Sequence, residues 1–224
     1  MNNEKVVETT GLCLHGNFSS SCSVCAAEVA SSIEQLRAHL VEYLELKTPE
    51  EAERIKFVRA LDLPAELGDQ YHFLSDERLA NVLVAVIPDE LWVKGAQPSE
   101  SSAERGLINV RAGYFEGEAG NSERDPSAWL THELAHCQRY LEHREDYAQD
   151  SDTPAFDDID VEVYPNNRVE EHAFNTQFAY LKSKGIEREG IVGLLKTHYK
   201  DKDFEFFDRI LDRVYKGSEL QSRL

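Results

Sequence analysis

The feature that most constrains this chain is the pentapeptide His132-Glu133-Leu134-Ala135-His136, set in a stretch without Gly or Pro between Ser127 and His143. Residues four apart share a helical face, so on a helix the two imidazoles can reach one metal ion. Glu133 then lies roughly 60–100° around the helix from the pair. There it can take a proton from a water that the metal activates, without being a ligand itself. The fold must therefore supply a long helix with one face in a core and another facing ligands. Asp125 as cap and Pro126 in the first turn predict its start, and it should run to about His143. On a helical wheel Leu130, Leu134, Cys137 and Leu141 fall on one side. His132 and His136 fall on the other, with Trp129 and Tyr140.

Periodicity organises the rest. Val29, Ile33, Leu36, Leu40 and Leu44 predict a helix from near Cys25 to about Leu46. Thr48-Pro49 predicts a second helix start, ending before Pro64. An apolar segment covers Leu79 to Ile87 and stops at Pro88. Gln97 to Glu104 reads as a Ser- and Glu-rich loop. Leu107 to Phe115 is the best strand candidate, and Gly117 to Asp125 reads as polar loop. Glu142 to Glu162 is acidic and irregular. Pro165-Asn-Asn167 opens a helix that ends at Gly185, and two more are expected at Arg188–His198 and Phe204–Tyr215. The sum is a helix-dominated α+β chain with one small sheet.

The stretch Trp129-Leu-Thr-His132-Glu133-Leu-Ala-His136-Cys-Gln resembles the active-site helix of the zincin metallopeptidases. That resemblance implies a zincin-like core, a catalytic Zn2+, Glu133 as general base and a peptide or protein substrate. Zincins are divided by their third ligand. The metzincin turn does not fit, because Arg139 and Glu142 occupy its Gly and His positions. His143 lies roughly 10 Å along the axis from His136 if the helix continues, too far for a bond of about 2 Å. The gluzincin pattern takes a Glu from a following helix, and Val169-Glu170-Glu171-His172-Ala173-Phe174 supplies one 34 residues beyond His136. Ala173, Phe174, Phe178 and Leu181 make an apolar stripe with Glu170 in its middle, Glu171 at its edge and His172 facing away. A carboxylate in such a stripe is costly unless paired or bound to metal, which favours Glu170. A buried salt bridge is the bland reading of Glu170. Glu171, Asp157, Asp158 and Asp160 stay open as other ligands. Tyr140, Tyr164, His172 and His198 are candidate oxyanion donors. The resemblance covers mainly Asp125 to Gly185. Leu107–Phe115 is expected as the edge strand before the metal helix, where related folds pair extended peptide.

Cys13-x-His15 and Cys22-x-x-Cys25 form a Cys3His set suited to a structural zinc, in a segment (residues 1–26) that resembles a zinc knuckle and could dock a protein partner. Residues 27–224 are then the helical, zincin-like domain. Cys137 reads as a buried helix residue. The net charge of −18 disfavours nucleic acid as a partner. With no basic, apolar leader and no apolar run of membrane-spanning length, a cytoplasmic location is expected. The competing function is a zinc-binding regulatory protein of the same fold without turnover; an intact Glu133 favours catalysis, because metal binding alone does not need it.

Overall fold

The computed structural model describes residues 23–63, 77–93, 99–116, 126–143 and 165–221. Two compact units divide between Ile55 and Lys56. In the first, α1 (Ser23–Tyr43) starts close to the predicted position, ends short of Leu46 and buries Leu40, with Leu44 just beyond its end. α2 (Pro49–Glu53) starts as expected, with a Thr48–Glu51 capping box and Pro49 in the first turn. It stops far short of Pro64, however. Lys56–Arg59 is instead a strand, β1, because its backbone pairs antiparallel with β2 (Leu83–Ile87). Cys13, His15 and Cys22 lie outside the described residues, and Cys25 is placed only as backbone of α1.

The second unit is built on a four-stranded mixed sheet of order β1-β2-β4-β3. Here β3 is Ser99–Ser102 and β4 is Leu107–Arg111. All five residues of β2 are buried, which explains its unbroken apolar run. β2 and β4 run parallel; β3 is antiparallel to β4. Two expectations need correcting. The Ser-rich segment read as loop contains a strand, since its backbone groups are satisfied by β4 rather than by turns. And Leu107–Phe115 is not the edge: β4 is interior, it ends at Arg111, and Ala112–Phe115 forms the short helix α3. The edge strand beside the motif helix is β3.

α4 (Pro126–Glu142) carries the motif, within a residue of its expected end. Its Leu130, Leu134 and Cys137 pack into the sheet core with Val84, Val86, Ile108 and Val110. Leu141, assigned to that face by the wheel, is exposed. On the other side of α4 lies a helical core. It is built from α5 (Arg168–Ser183), α6 (Arg188–His198) and α7 (Phe204–Gln221), with Phe174, Phe178, Phe206, Phe207, Ile210 and Leu211 at its centre and Ala128 contributed by α4. α5 starts where Asn167 Oδ1 accepts from the Glu170 amide at 2.8 Å, an N-cap that fixes the register of Glu170. It ends at Gly185, whose φ of 79° is the left-handed conformation that glycine adopts without strain. The architecture is thus α+β and helix-dominated. Among the described residues no helix is long and apolar enough to cross a membrane.

Candidate metal centre

Three side chains converge between α4 and α5. His132 Nε2 and His136 Nε2 stand 3.1 Å apart. Glu170 Oε2 lies 3.3 Å from His132 Nε2, and Glu170 Oε1 lies 3.6 Å from His136 Nε2. The ring edges follow from the sequence: one helical turn separates the histidines, and the Asn167 cap turns Glu170 toward them. Phe174 stacks edge-on against His132 with ring centres 4.5 Å apart, which limits that ring's rotation. The group is buried, with His132 and His136 each 6% exposed. It could hold a metal ion, and no other such group of His, Cys, Asp or Glu occurs among the described residues.

Burial sets the protonation state. It pushes His136 down to about 4 and also pushes His132 below its usual value, so both rings are neutral near pH 7 and have lone pairs to give. The same burial raises Glu170. Although it lies 3.3 Å from His132 Nε2, Glu170 Oε2 is buried without a hydrogen-bond donor. Two neutral rings and a carboxylate facing one another have few donors among them, and a cation or proton would satisfy the set.

Glu133 is buried beside this group but is not part of it. Ser99 Oγ donates to Glu133 Oε1 at 3.0 Å, and the Ser101 hydroxyl lies close enough to favour the charged form of the same carboxylate. Burial, and the neighbouring Glu170 carboxylate to a smaller degree, raise the Glu133 pKa. His132 and the two serines work the other way.

The other sequence candidates are placed as follows. Glu171 faces outward and accepts from Arg213 at 2.6 Å, so it is not in the group. His143 is exposed just past the end of α4. Tyr140 is half-buried against the sheet core. His198 meets Trp129 edge-on at 5.9 Å, at one wall of a small apolar pocket that Phe174 also lines. His172 is half-buried, its charge would act on His136, and its Nε2 is buried without a partner. Burial, then the adjacent Arg139, lower its pKa. Tyr164, Asp157, Asp158 and Asp160 lie outside the described residues.

Sequence reasoning missed Ser99, Ser101 and Gln177. Gln177 is 3% exposed and close enough to His132 to favour its charged form, while its Oε1 is buried without a hydrogen-bond partner. It is a polar residue in the stripe that pointed to Glu170, so the same argument would have found it. For the serines the only signal was the alternation Ser-Glu-Ser, too short to mark a strand. Comparison with protein-family models, with curated proteins and with solved structures yields no match.

Proposed function

We propose that this chain is a zinc-dependent metallopeptidase of gluzincin-like type, hydrolysing peptide bonds of peptide or protein substrates in the cytoplasm. The observation that carries this reading is the spacing of the three donor atoms together with a buried carboxylate beside them. In a tetrahedral site with bonds of about 2.0–2.2 Å, donor atoms stand roughly 3.3–3.6 Å apart. The two imidazole nitrogens here are 3.1 Å apart, the Glu170 oxygens come within 3.3 Å (Oε2 to His132) and 3.6 Å (Oε1 to His136), and one atom from each residue lies within 4.8 Å of the others. Two neutral imidazoles and one carboxylate are a donor set suited to zinc, with a fourth position left for chemistry.

When bound, zinc supplies a Lewis acid that polarises a carbonyl and brings the pKa of water toward neutrality. His132, His136 and Glu170 would hold it. Glu133, outside the ligand set, takes the proton of the attacking water and returns it to the leaving amine. Its ordinary pKa is raised by burial, which makes it a better base than an exposed carboxylate. His172 is the candidate donor to the developing oxyanion. It neighbours His136, stays neutral because burial lowers its pKa, and has an unpartnered Nε2.

The test is digestion of a peptide library, read by mass spectrometry, with zinc-loaded protein, chelated protein and Glu133→Gln. We expect cleavage only by the first, with Glu133→Gln retaining zinc and losing on the order of 10²–10⁴-fold in rate. Undiminished cleavage by Glu133→Gln would remove Glu133 from the chemistry. Zinc binding without any cleavage by the unmodified chain would leave a metal-binding protein and sink the peptidase assignment.

A further inference from the structure

The helix that carries Glu133 does not by itself aim the carboxylate. That direction comes from β3. Pairing with β4 places Ser99 opposite Val110 and Ser101 opposite Ile108. Cross-strand partners share a sheet face, and Val110 and Ile108 belong to the core that packs on α4. Both serines therefore point at α4. Glu100, between them, points the other way and accepts from Asn109 Nδ2 at 3.1 Å, which secures the strand against rotation. The Ser99–Glu133 contact is closed on both sides, each residue being 7% exposed. A hydrogen bond to a buried carboxylate is of the stronger, charge-assisted kind.

We propose that Ser99 and Ser101 are positioning residues through which edge strand β3 fixes how the Glu133 carboxylate is presented to the His132–His136–Glu170 group. Neither serine is near enough in sequence to α4 to have been conscripted by the helix, and neither is needed to fill space: valine or alanine would suit a strand facing Leu130 and Leu134 equally well. Two successive inward positions of this strand instead carry hydroxyls: Ser99 donates to Glu133 Oε1, and Ser101 favours the charged form of the same carboxylate. The strand that directs the base is also an edge strand of the sheet among the described residues. This role rests on the peptidase reading for its consequence but not for its geometry, and the experiment separates the two.

Ser99→Ala, Ser101→Ala, the double variant and Ser99→Thr would be compared in the zinc-loaded full chain. The protein would be labelled with ¹³C at the Glu side-chain carboxyl, and the Glu133 signal assigned by its loss in Glu133→Gln. We expect the Ala variants to shift that signal and to lower kcat about 10- to 100-fold, with KM and zinc affinity unchanged. Ser99→Thr, which keeps the hydroxyl, should restore both. An unmoved Glu133 signal in the double variant overturns the proposal, as does a loss confined to KM. If the unmodified chain turns over no peptide, the function proposed above falls, and the carboxyl signal alone decides the role of the serines.

Discussion

Replacing Glu170 with Gln distinguishes a metal ligand from a structural ion pair by the sign of a stability change. An ion pair needs a charged imidazole. Burial holds His136 at about 4 and lowers His132 as well, so near pH 7.5 the metal-free group contains no cation for Glu170 to meet. Its own pKa is raised for the same reason. The carboxylate is then a cost in the metal-free protein. Gln keeps the shape, removes the ionisable group and can donate from its amide to a neutral Nε2.

The metal-free variant should accordingly melt at the same temperature as the parent or slightly above it. A broken buried ion pair would instead cost about 3–5 kcal/mol. For a unit of about 170 residues, at roughly 2–4 °C per kcal/mol, that is a fall of roughly 6–20 °C. Zinc supplies the second half of the test. A ligand at 1,000 times its Kd stabilises the folded state by about 4 kcal/mol, or roughly 8–16 °C here. The parent should show that rise and Glu170→Gln should lose most of it. Scanning calorimetry of chelator-stripped and zinc-titrated protein reads both numbers. A variant that melts ten degrees low without metal, yet gains as much from zinc as the parent, would refute the ligand assignment.

Two further outcomes follow from the same site. Glu171→Ala breaks only the contact with Arg213, in which Glu171 is 30% and Arg213 58% exposed; zinc affinity by chelator competition should not change, and a tenfold loss would return Glu171 to the ligand set. The metal-free protein should also weaken on acidification in a way that depends on His136. Its folded pKa lies below the unfolded value, so the unfolded chain binds the extra proton between about pH 6.5 and 4. Stability present above that window is lost as pH falls through it, by about 2 kcal/mol between pH 7 and 4.5. Glu133 and Glu170, with raised values, act with the opposite sign, so the comparison is with His136→Leu: urea unfolding at both pH values should show the smaller acid loss in the variant, and equal losses would refute it.

The sequence made some parts of the structure legible because their causes are local. The starts of α2 and α5 are written in Thr48-Pro49 and Asn167, whose side chains bond within three residues. The stops of α5 and α6 fall where expected for the same kind of reason. Glu170 was legible because a carboxylate within an apolar stripe demands a partner. The sheet was less so. β1 and β3 are each four residues long and are strands only because a distant segment accepts their hydrogen bonds: Lys56–Arg59 lies after a capped helix start that suggests more helix, and Ser99–Ser102 has the composition of a loop. Register between such strands is a tertiary property, so nothing near Ser99 announces that it will meet Glu133. The wheel erred at Leu141 and Tyr140 for a related reason. It ranks the faces of one helix but does not say how far along that helix its neighbours extend.

The placement of polar groups around α4 is difficult to account for as fold stabilisation alone. A helix between a sheet core and a helical core could be wholly apolar on both faces, as Leu130, Leu134, Ala128 and Ala135 are. Within two turns it instead buries two histidines and a glutamate, opposite a glutamate and a glutamine from α5. The Nδ1 atoms of both histidines, Glu170 Oε2 and Gln177 Oε1 are all buried without a hydrogen-bond partner. Each such atom costs about 1–3 kcal/mol when left unsatisfied, a large sum beside the 5–15 kcal/mol by which domains are stable. A divalent cation changes that arithmetic at several atoms together. Held by His132, His136 and Glu170, such an ion would satisfy the carboxylate and both Nε2 lone pairs, leaving each Nδ1 to carry the proton. Gln177, close to His132, offers a buried and unpartnered Oε1 of the kind such a proton would satisfy.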